Sequence, residues 1–144
     1  MLIGEYKHSI DKKRRVSIPA KMRKVLGDRI IITRGLDQCL FIYSIEEWQA
    51  IAQKLSHLSI GQPKIRQFVR IMLSGAGESE IDSLGRILIP EHLKNYASLN
   101  KKVVITGVYT RAEIWDEEKW NQYNSTSEKR ADELAEELGQ QGLY

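Results

Sequence analysis

One segment of this chain occurs twice. Asp11-Lys12-Lys13-Arg14-Arg15-Val16-Ser17-Ile18-Pro19-Ala20-Lys21-Met22-Arg23 returns as Asp82-Ser83-Leu84-Gly85-Arg86-Ile87-Leu88-Ile89-Pro90-Glu91-His92-Leu93-Lys94. Each copy reads Asp, three residues, Arg, a β-branched residue, one residue, Ile-Pro, two residues, an apolar residue and a cation. The separation is 71 at both the Asp pair and the Pro pair. Further on, Ile30-Ile31-Ile32-Thr33 answers to Val103-Val104-Ile105-Thr106 at 73, and Phe41-Ile42-Tyr43 to Glu113-Ile114-Trp115 at 72. A self-match this long in 144 residues is a tandem duplication. Each half is near the lower size limit for a self-sufficient core, so the halves are expected to share one.

The periodicities divide each half in the same way. A short strand over residues 3–10 leads into the charged turn, and Val16-Ser17-Ile18 alternates as a half-buried strand does. Pro19 ends that strand and opens a helix with Met22, Val25 and Leu26 on one side, closed by Gly27. Two apolar strands follow, at 30–33 and 40–43. Ser44-Ile45-Glu46-Glu47 is a capping box ahead of a helix bearing Trp48, Ile51, Ala52 and Leu55. After Pro63, residues Ile65, Phe68, Val69 and Met72 mark a second connecting helix, which Ser74-Gly75-Ala76-Gly77 breaks. The second half repeats the strands and the short helix, here at 92–96. Beyond Asn124 the chain turns polar, and residues 127–138 predict a helix with a narrow Ala131/Leu134/Ala135/Leu138 stripe and no counterpart in the repeat. The organisation expected is a first repeat over 5–47, connecting helices over 48–75, a second repeat over 76–119 and a helical tail over 120–144.

Net charge is +3, but its distribution is uneven. Residues 7–24 carry Lys7, Lys12, Lys13, Arg14, Arg15, Lys21, Arg23 and Lys24 against Asp11 alone, whereas residues 113–137 carry nine acids against three bases. A concentrated basic stretch is the footprint of a polyanion partner, although charge alone equally fits a solvated face. Enzymatic patterns are scarce. His8, His57 and His92 are dispersed without zinc spacing, and no Gly-x-Ser-x-Gly, phosphate-loop or dinucleotide fingerprint occurs. Neither an enzyme nor a bound cofactor or metal is expected. There is no apolar run long enough to span a membrane and no signal-peptide pattern. The one cysteine, Cys39, excludes an internal disulfide and fits a reducing cytoplasm, where it reads as a small buried strand residue. Trp48, Trp115 and Trp120 read as core or interface anchors in preference to base-stacking platforms.

Asp11 and Asp82 read as structural. An Asp at the start of a turn bonds amides two or three residues on, or pairs with the Arg four residues later. A turn of this kind exposes its middle residues, so Lys12, Lys13, Arg14 and Arg15 are expected to form a cationic tip able to grip phosphates or enter a groove, where Arg bonds two acceptors on guanine. The second copy offers only Arg86 at its tip. The first half is therefore expected to dominate any contact with nucleic acid.

These residues resemble the MraZ family of bacterial transcriptional regulators, built from two SpoVT–AbrB-type repeats. Asp-x-x-Gly-Arg-(Ile/Val)-x-Ile-Pro-x-x-(Leu/Met)-(Arg/Lys) is the AbrB-type element, and Gly4-Glu5-Tyr6, Thr33-Arg34-Gly35-Leu36-Asp37, Glu47-Trp48 and Glu113-Ile114-Trp115 are similar to this family in particular. The resemblance covers about residues 2–120. It implies an α+β, β-rich double-split barrel of two intertwined repeats with short connecting helices and a C-terminal helix. It implies a cytoplasmic, nucleoid-associated homo-oligomeric ring of about eight subunits. That ring would bind double-stranded DNA at direct repeats upstream of its own division and cell-wall operon, mostly as a repressor, with no membrane or small-molecule substrate. Asp11, Lys13 and Arg15 match the first motif, and Asp82, Gly85 and Arg86 the second. The DNA-contacting set expected is Lys7, Lys12, Lys13, Arg14, Arg15 and Arg86, with Asp11, Asp82 and Gly85 shaping the turns. Arg14 departs from the family glycine, so the first turn is expected to differ locally from the second. Since AbrB-type folds also serve as antitoxins, the alternative is an antitoxin-like or scaffold module with an acidic protein partner.

Overall fold

Both halves contribute strands to one sheet. In the computed structural model, which describes Met1–Tyr144, the elements run β1 (Leu2–Ser9), β2 (Arg15–Ser17), α1 (Ala20–Leu26), β3 (Arg29–Arg34), β4 (Leu40–Ser44), α2 (Ile45–Ser56) and α3 (Pro63–Ser74). The second half continues with β5 (Gly77–Glu80), β6 (Arg86–Leu88), α4 (Glu91–Tyr96), β7 (Lys102–Tyr109), β8 (Ala112–Asp116), α5 (Glu117–Lys129) and α6 (Ala131–Gln140). The fold is α+β. Six strands form an open antiparallel sheet in the order β1-β7-β8-β4-β3-β5, and β2 pairs with β6 in a separate two-stranded ribbon.

The strand order is a palindrome of the repeat. β1 corresponds to β5, β7 to β3 and β8 to β4, so a pseudo-twofold axis runs through the β4–β8 pair and the ribbon. The register obeys it to the residue. Tyr6 pairs with Ile105, and the equivalent Gly77 pairs with Ile32. Phe41 faces its own counterpart Glu113, and Val16 faces its own counterpart Ile87. Each half lends an outer strand to the other half's sheet edge, so neither closes a core by itself.

The inner strands are buried on both faces, which is why they read as continuous apolar runs. Ile30, Ile32, Leu40, Ile42, Val103, Ile105 and Ile114 face a large core that also takes Val16, Ile18, Met22, Leu26, Ile87, Ile89 and Leu93 from the ribbon and the short helices. Phe41, Tyr43 and Trp115 face the opposite way, into a smaller core under α2, α3 and α5 that includes Trp48 and Trp120. The three tryptophans are thus packing residues, and Trp115 donates to Glu113 Oε1 at 3.1 Å. Cys39 is buried in the smaller core, one residue ahead of β4 and not within a strand. Desolvation pushes its thiol far above the ordinary range.

The helix ends follow the same duplication. Ser44 Oγ accepts from the Glu47 amide at 3.2 Å, and its counterpart Asp116 Oδ2 accepts from the Lys119 amide at 3.4 Å. The C-terminal region differs from expectation. Capped by Asp116, α5 begins at Glu117 as the counterpart of α2, and a break at Arg130 separates it from α6. The weak apolar stripe concealed α5, whose 13 residues include none that is buried. No residue of α6 is buried either. The terminal helix does have a counterpart in the repeat: α6 follows α5 as α3 follows α2, but α3 packs on the sheet with Met72 buried, whereas α6 buries nothing. Thr33 Oγ1 donates to the Met72 carbonyl at the end of α3, at 2.7 Å, whereas the equivalent Thr106 hydroxyl is buried without a partner.

Candidate nucleic-acid interface

Each Asp-to-Arg segment is a closed turn stapled by its own aspartate. In the first, Asp11 Oδ1 accepts from the amides of Lys13 at 2.9 Å and Arg15 at 2.8 Å, and Oδ2 accepts from Arg15 Nε at 2.8 Å. In the second, Asp82 Oδ1 accepts from the amides of Leu84 and Arg86, both at 2.9 Å, and Oδ2 from Arg86 Nε at 3.0 Å. The backbone bonds also match: Asp11 and Asp82 amides donate to the Arg15 and Arg86 carbonyls at 2.9 Å. Hydrogen bonds from the arginine amide and side chain hold both carboxyls below their usual range. Each aspartate therefore does both things expected of it, bonding amides and pairing with the arginine.

Arg14 does not alter its turn. It adopts φ 61°, beside φ 78° for Gly85, and its amide donates to the Asp11 carbonyl at 3.0 Å as Gly85 does to Asp82 at 2.9 Å. The expected local difference is absent from the backbone because the staple enforces the left-handed conformation despite its cost. The difference falls on the side chain. Arg14 Nε donates to the Ile89 carbonyl of the other half at 3.1 Å, laying the guanidinium along the ribbon. At Gly85 the same space is taken by Arg23 of α1, whose guanidinium a Cβ would overlap.

The ribbon joins the two turns. Arg15 pairs with Leu88, and Ser17 with Arg86. Backbone bonds of 2.8 Å from Ile18 to Gly85 and from Ile89 to Arg14 extend the pairing into the turns. Since side chains alternate, Val16 and Ile87 point into the core, while Arg15, Ser17, Arg86 and Leu88 make the outer face. Arg86 also approaches Asp11 Oδ2 at 3.9 Å, linking the turns across the ribbon. Exposed Lys12 and Lys13 cap the first turn, and Ser83 and Leu84 the second. The structure thus gathers Lys12, Lys13, Arg14, Arg15 and Arg86 on one surface. Lys7 stands apart on edge strand β1, 3.5 Å from Glu117.

Sequence reasoning assigned no role to Arg23, Lys94 or Lys101, which flank this surface. Arg23 lies over Gly85, and Lys94 and Lys101 line a cleft with Asp11 and Lys12. A signal existed for two of them, since Arg23 and Lys94 are the cations that close the two motifs. Only the crossing of β2 with β6 reveals that each serves the other half's turn. Elsewhere, no group of His, Cys, Asp and Glu is placed to hold a metal ion, and no helix is long and apolar enough to cross a membrane.

The fold and the site define a duplicated α+β protein, a tandem pair of interlocked β-turn-β-helix units that displays a stapled cationic ribbon. Comparison with known proteins narrows this. The chain matches the MraZ family, described as antitoxin-like, over residues 1–71 and again over 72–141. It is 48% identical over 143 residues to the "Transcriptional regulator MraZ" of Alkaliphilus metalliredigens, covering 99% of this chain and all of that one. It is 50% identical over 138 residues to the protein of that name from Thermoanaerobacter pseudethanolicus, covering 96% of each. The chain belongs to the MraZ family.

Proposed function

We propose that this protein is a sequence-specific, DNA-binding transcriptional regulator that reads double-stranded DNA with the outer face of its β2–β6 ribbon. The observation that carries the reading is the pair of Asp-stapled arginines, Arg15 and Arg86, on an exposed ribbon beside Lys12 and Lys13. A two-stranded ribbon fits the major groove, and an arginine held by Nε keeps its terminal nitrogens for a guanine edge. Lysines on the turn supply phosphate contacts. The relatives' shared name supports the same reading.

Several finer features belong to this proposal. The functional repeats are 5–47 and 76–119, interlocked as a double-split barrel of the SpoVT–AbrB type. A cytoplasmic, nucleoid-associated ring of about eight subunits binds direct repeats upstream of its own division and cell-wall operon and mostly represses it. One ribbon reads few base pairs, and several on a rigid ring gain affinity through effective concentration. Direct repeats suit a head-to-tail ring, whose neighbours are related by rotation without reversal. A ring and a straight duplex differ in curvature, so DNA bends or the ring distorts. Loss of affinity as repeats are removed from a long duplex supports that assembly; affinity independent of repeat number rejects it.

The primary test is binding of the purified protein to its own upstream DNA against a scrambled duplex at physiological salt. Strong preference for the native repeats is the expected result. Equal, salt-sensitive binding to both refutes sequence reading. The family's antitoxin-like description favours a second reading, in which the basic surface engages an acidic protein. Copurification of a stoichiometric partner that competes with DNA distinguishes it.

A further inference from the structure

The pseudo-twofold relates the flanks of the ribbon as well as its turns, and the two flanks differ in charge. Beside the first turn lies a cleft of about 390 Å³ lined by Ile10, Asp11, Lys12, Lys94, Asn100 and Lys101. Its walls are tied together. The Ile10 amide donates to the Lys101 carbonyl at 2.8 Å. The Asn100 backbone amide and Nδ2 donate to Asp116 Oδ1 at 3.0 and 3.2 Å, anchoring the segment between α4 and β7. Both oxygens of Asp11 are committed to Lys13 and Arg15. None of the three lysines forms an ion pair within the chain.

The equivalent positions beside the second turn are Ile81, Asp82, Ser83, Arg23, Gly27 and Asp28. The same wall bond recurs there, from the Ile81 amide to the Asp28 carbonyl at 2.8 Å. One cation and two carboxylates replace three cations and one carboxylate. Core packing does not explain that change, because the altered side chains lie outside the core. Like charges brought together repel, so three unpaired ammonium groups around one cleft stabilise the protein less than the mixed set opposite. An anion between them reverses that balance.

We propose that this cleft is a phosphate-binding site, in which Lys12, Lys94 and Lys101 hold backbone phosphates of the DNA strand running past the ribbon. The inference rests on the DNA-binding reading above and adds a direction to it: the duplex is gripped on the first-turn side and left free on the second. Lysine suits the task as a point charge to phosphate that reads no sequence.

The test is acetylation footprinting of lysines in the full-length protein, with its own upstream duplex, a scrambled duplex, or inorganic tripolyphosphate. Bound duplex should slow acetylation of Lys12, Lys94 and Lys101 several-fold and leave Lys129 on α5 unchanged. The variant K94Q/K101Q should flatten the dependence of log K on log salt by about 1.8, near 0.9 per lost phosphate, equally on both duplexes. Unprotected lysines and an unchanged slope on a duplex that the protein binds overturn the cleft and leave the DNA-binding reading standing. Failure to bind either duplex overturns that reading instead. The cleft is then decided by tripolyphosphate: protection of the three lysines supports a phosphate site with a free anion as its source, and no protection overturns it.

Discussion

The turn at Asp11–Arg15 and the turn at Asp82–Arg86 share every hydrogen bond of their backbone staple, yet their surfaces diverge. The first exposes Lys12 and Lys13, and the second Ser83 and Leu84. The conserved part is the part that folding needs, because the aspartate satisfies amides that a tight turn would otherwise leave unpaired. The divergent part faces solvent, where substitution costs little stability and so is open to function. After duplication, one turn carries a cluster of cations and the other Arg86 alone. Even Arg14 against Gly85 fits this division: the backbone is the same, and the side chains settle which half's cation fills the space.

The strongest way to break this comparison is Arg15→Ala. It removes a candidate base contact worth about 1–3 kcal/mol per protomer and should nearly abolish specific DNA binding with fold and oligomer intact. Circular dichroism, sizing and promoter binding on one preparation check it, and normal binding refutes the role. The matched variant Arg86→Ala tests the second turn. Impaired assembly, or little effect on DNA contact, keeps the turns unequal; a selective loss of affinity with the oligomer preserved makes both turns contact residues.

Next, moving the charge should move the function. Lys12→Gln with Lys13→Gln should flatten the salt dependence of binding by up to about 1.8. Ser83→Lys with Leu84→Lys leaves affinity unchanged if only the first turn meets DNA, and a steeper slope contradicts that.

Smaller effects probe the staple and the two buried threonines. Gly85→Ala places a side chain at φ 78° against Arg23 and should cost about 1–2 kcal/mol in urea unfolding. Arg14→Gly, which relieves strain but loses the bond to Ile89, should stay within about 1 kcal/mol of the parent. Thr106→Val removes a buried hydroxyl without a partner and should stabilise by about 1 kcal/mol, whereas Thr33→Val, which orphans the Met72 carbonyl, should destabilise. The pH response is the smallest. Because the folded carboxyls of Asp11 and Asp82 lie below the ordinary value of 3.8, their stabilisation is full above it and is lost as pH falls through the depressed range. DNA binding and stability should therefore not respond to the staples between pH 5 and 8, as a pH series of both would check.

The repeat, the strands, the short helices and the stapled turns were legible because local rules govern them: Asp with Arg four residues on, alternation, Pro at a helix start and Gly at its end. A shared core followed from the size of each half. The sequence by itself determined which residues face inward and that one turn is far more basic than the other. Only the tertiary structure decided which strand lies beside which. Every sheet edge here is completed by the other half, through pairings that run from Ile32 with Gly77 to Leu2 with Tyr109, far apart in the chain, which no local pattern encodes. That crossing brings Arg15 beside Leu88, Arg23 over Gly85, and Lys94 and Lys101 against Lys12. It also left Thr106 without the partner that Thr33 has, because the neighbour of a buried hydroxyl is a property of packing, not of the segment that carries it.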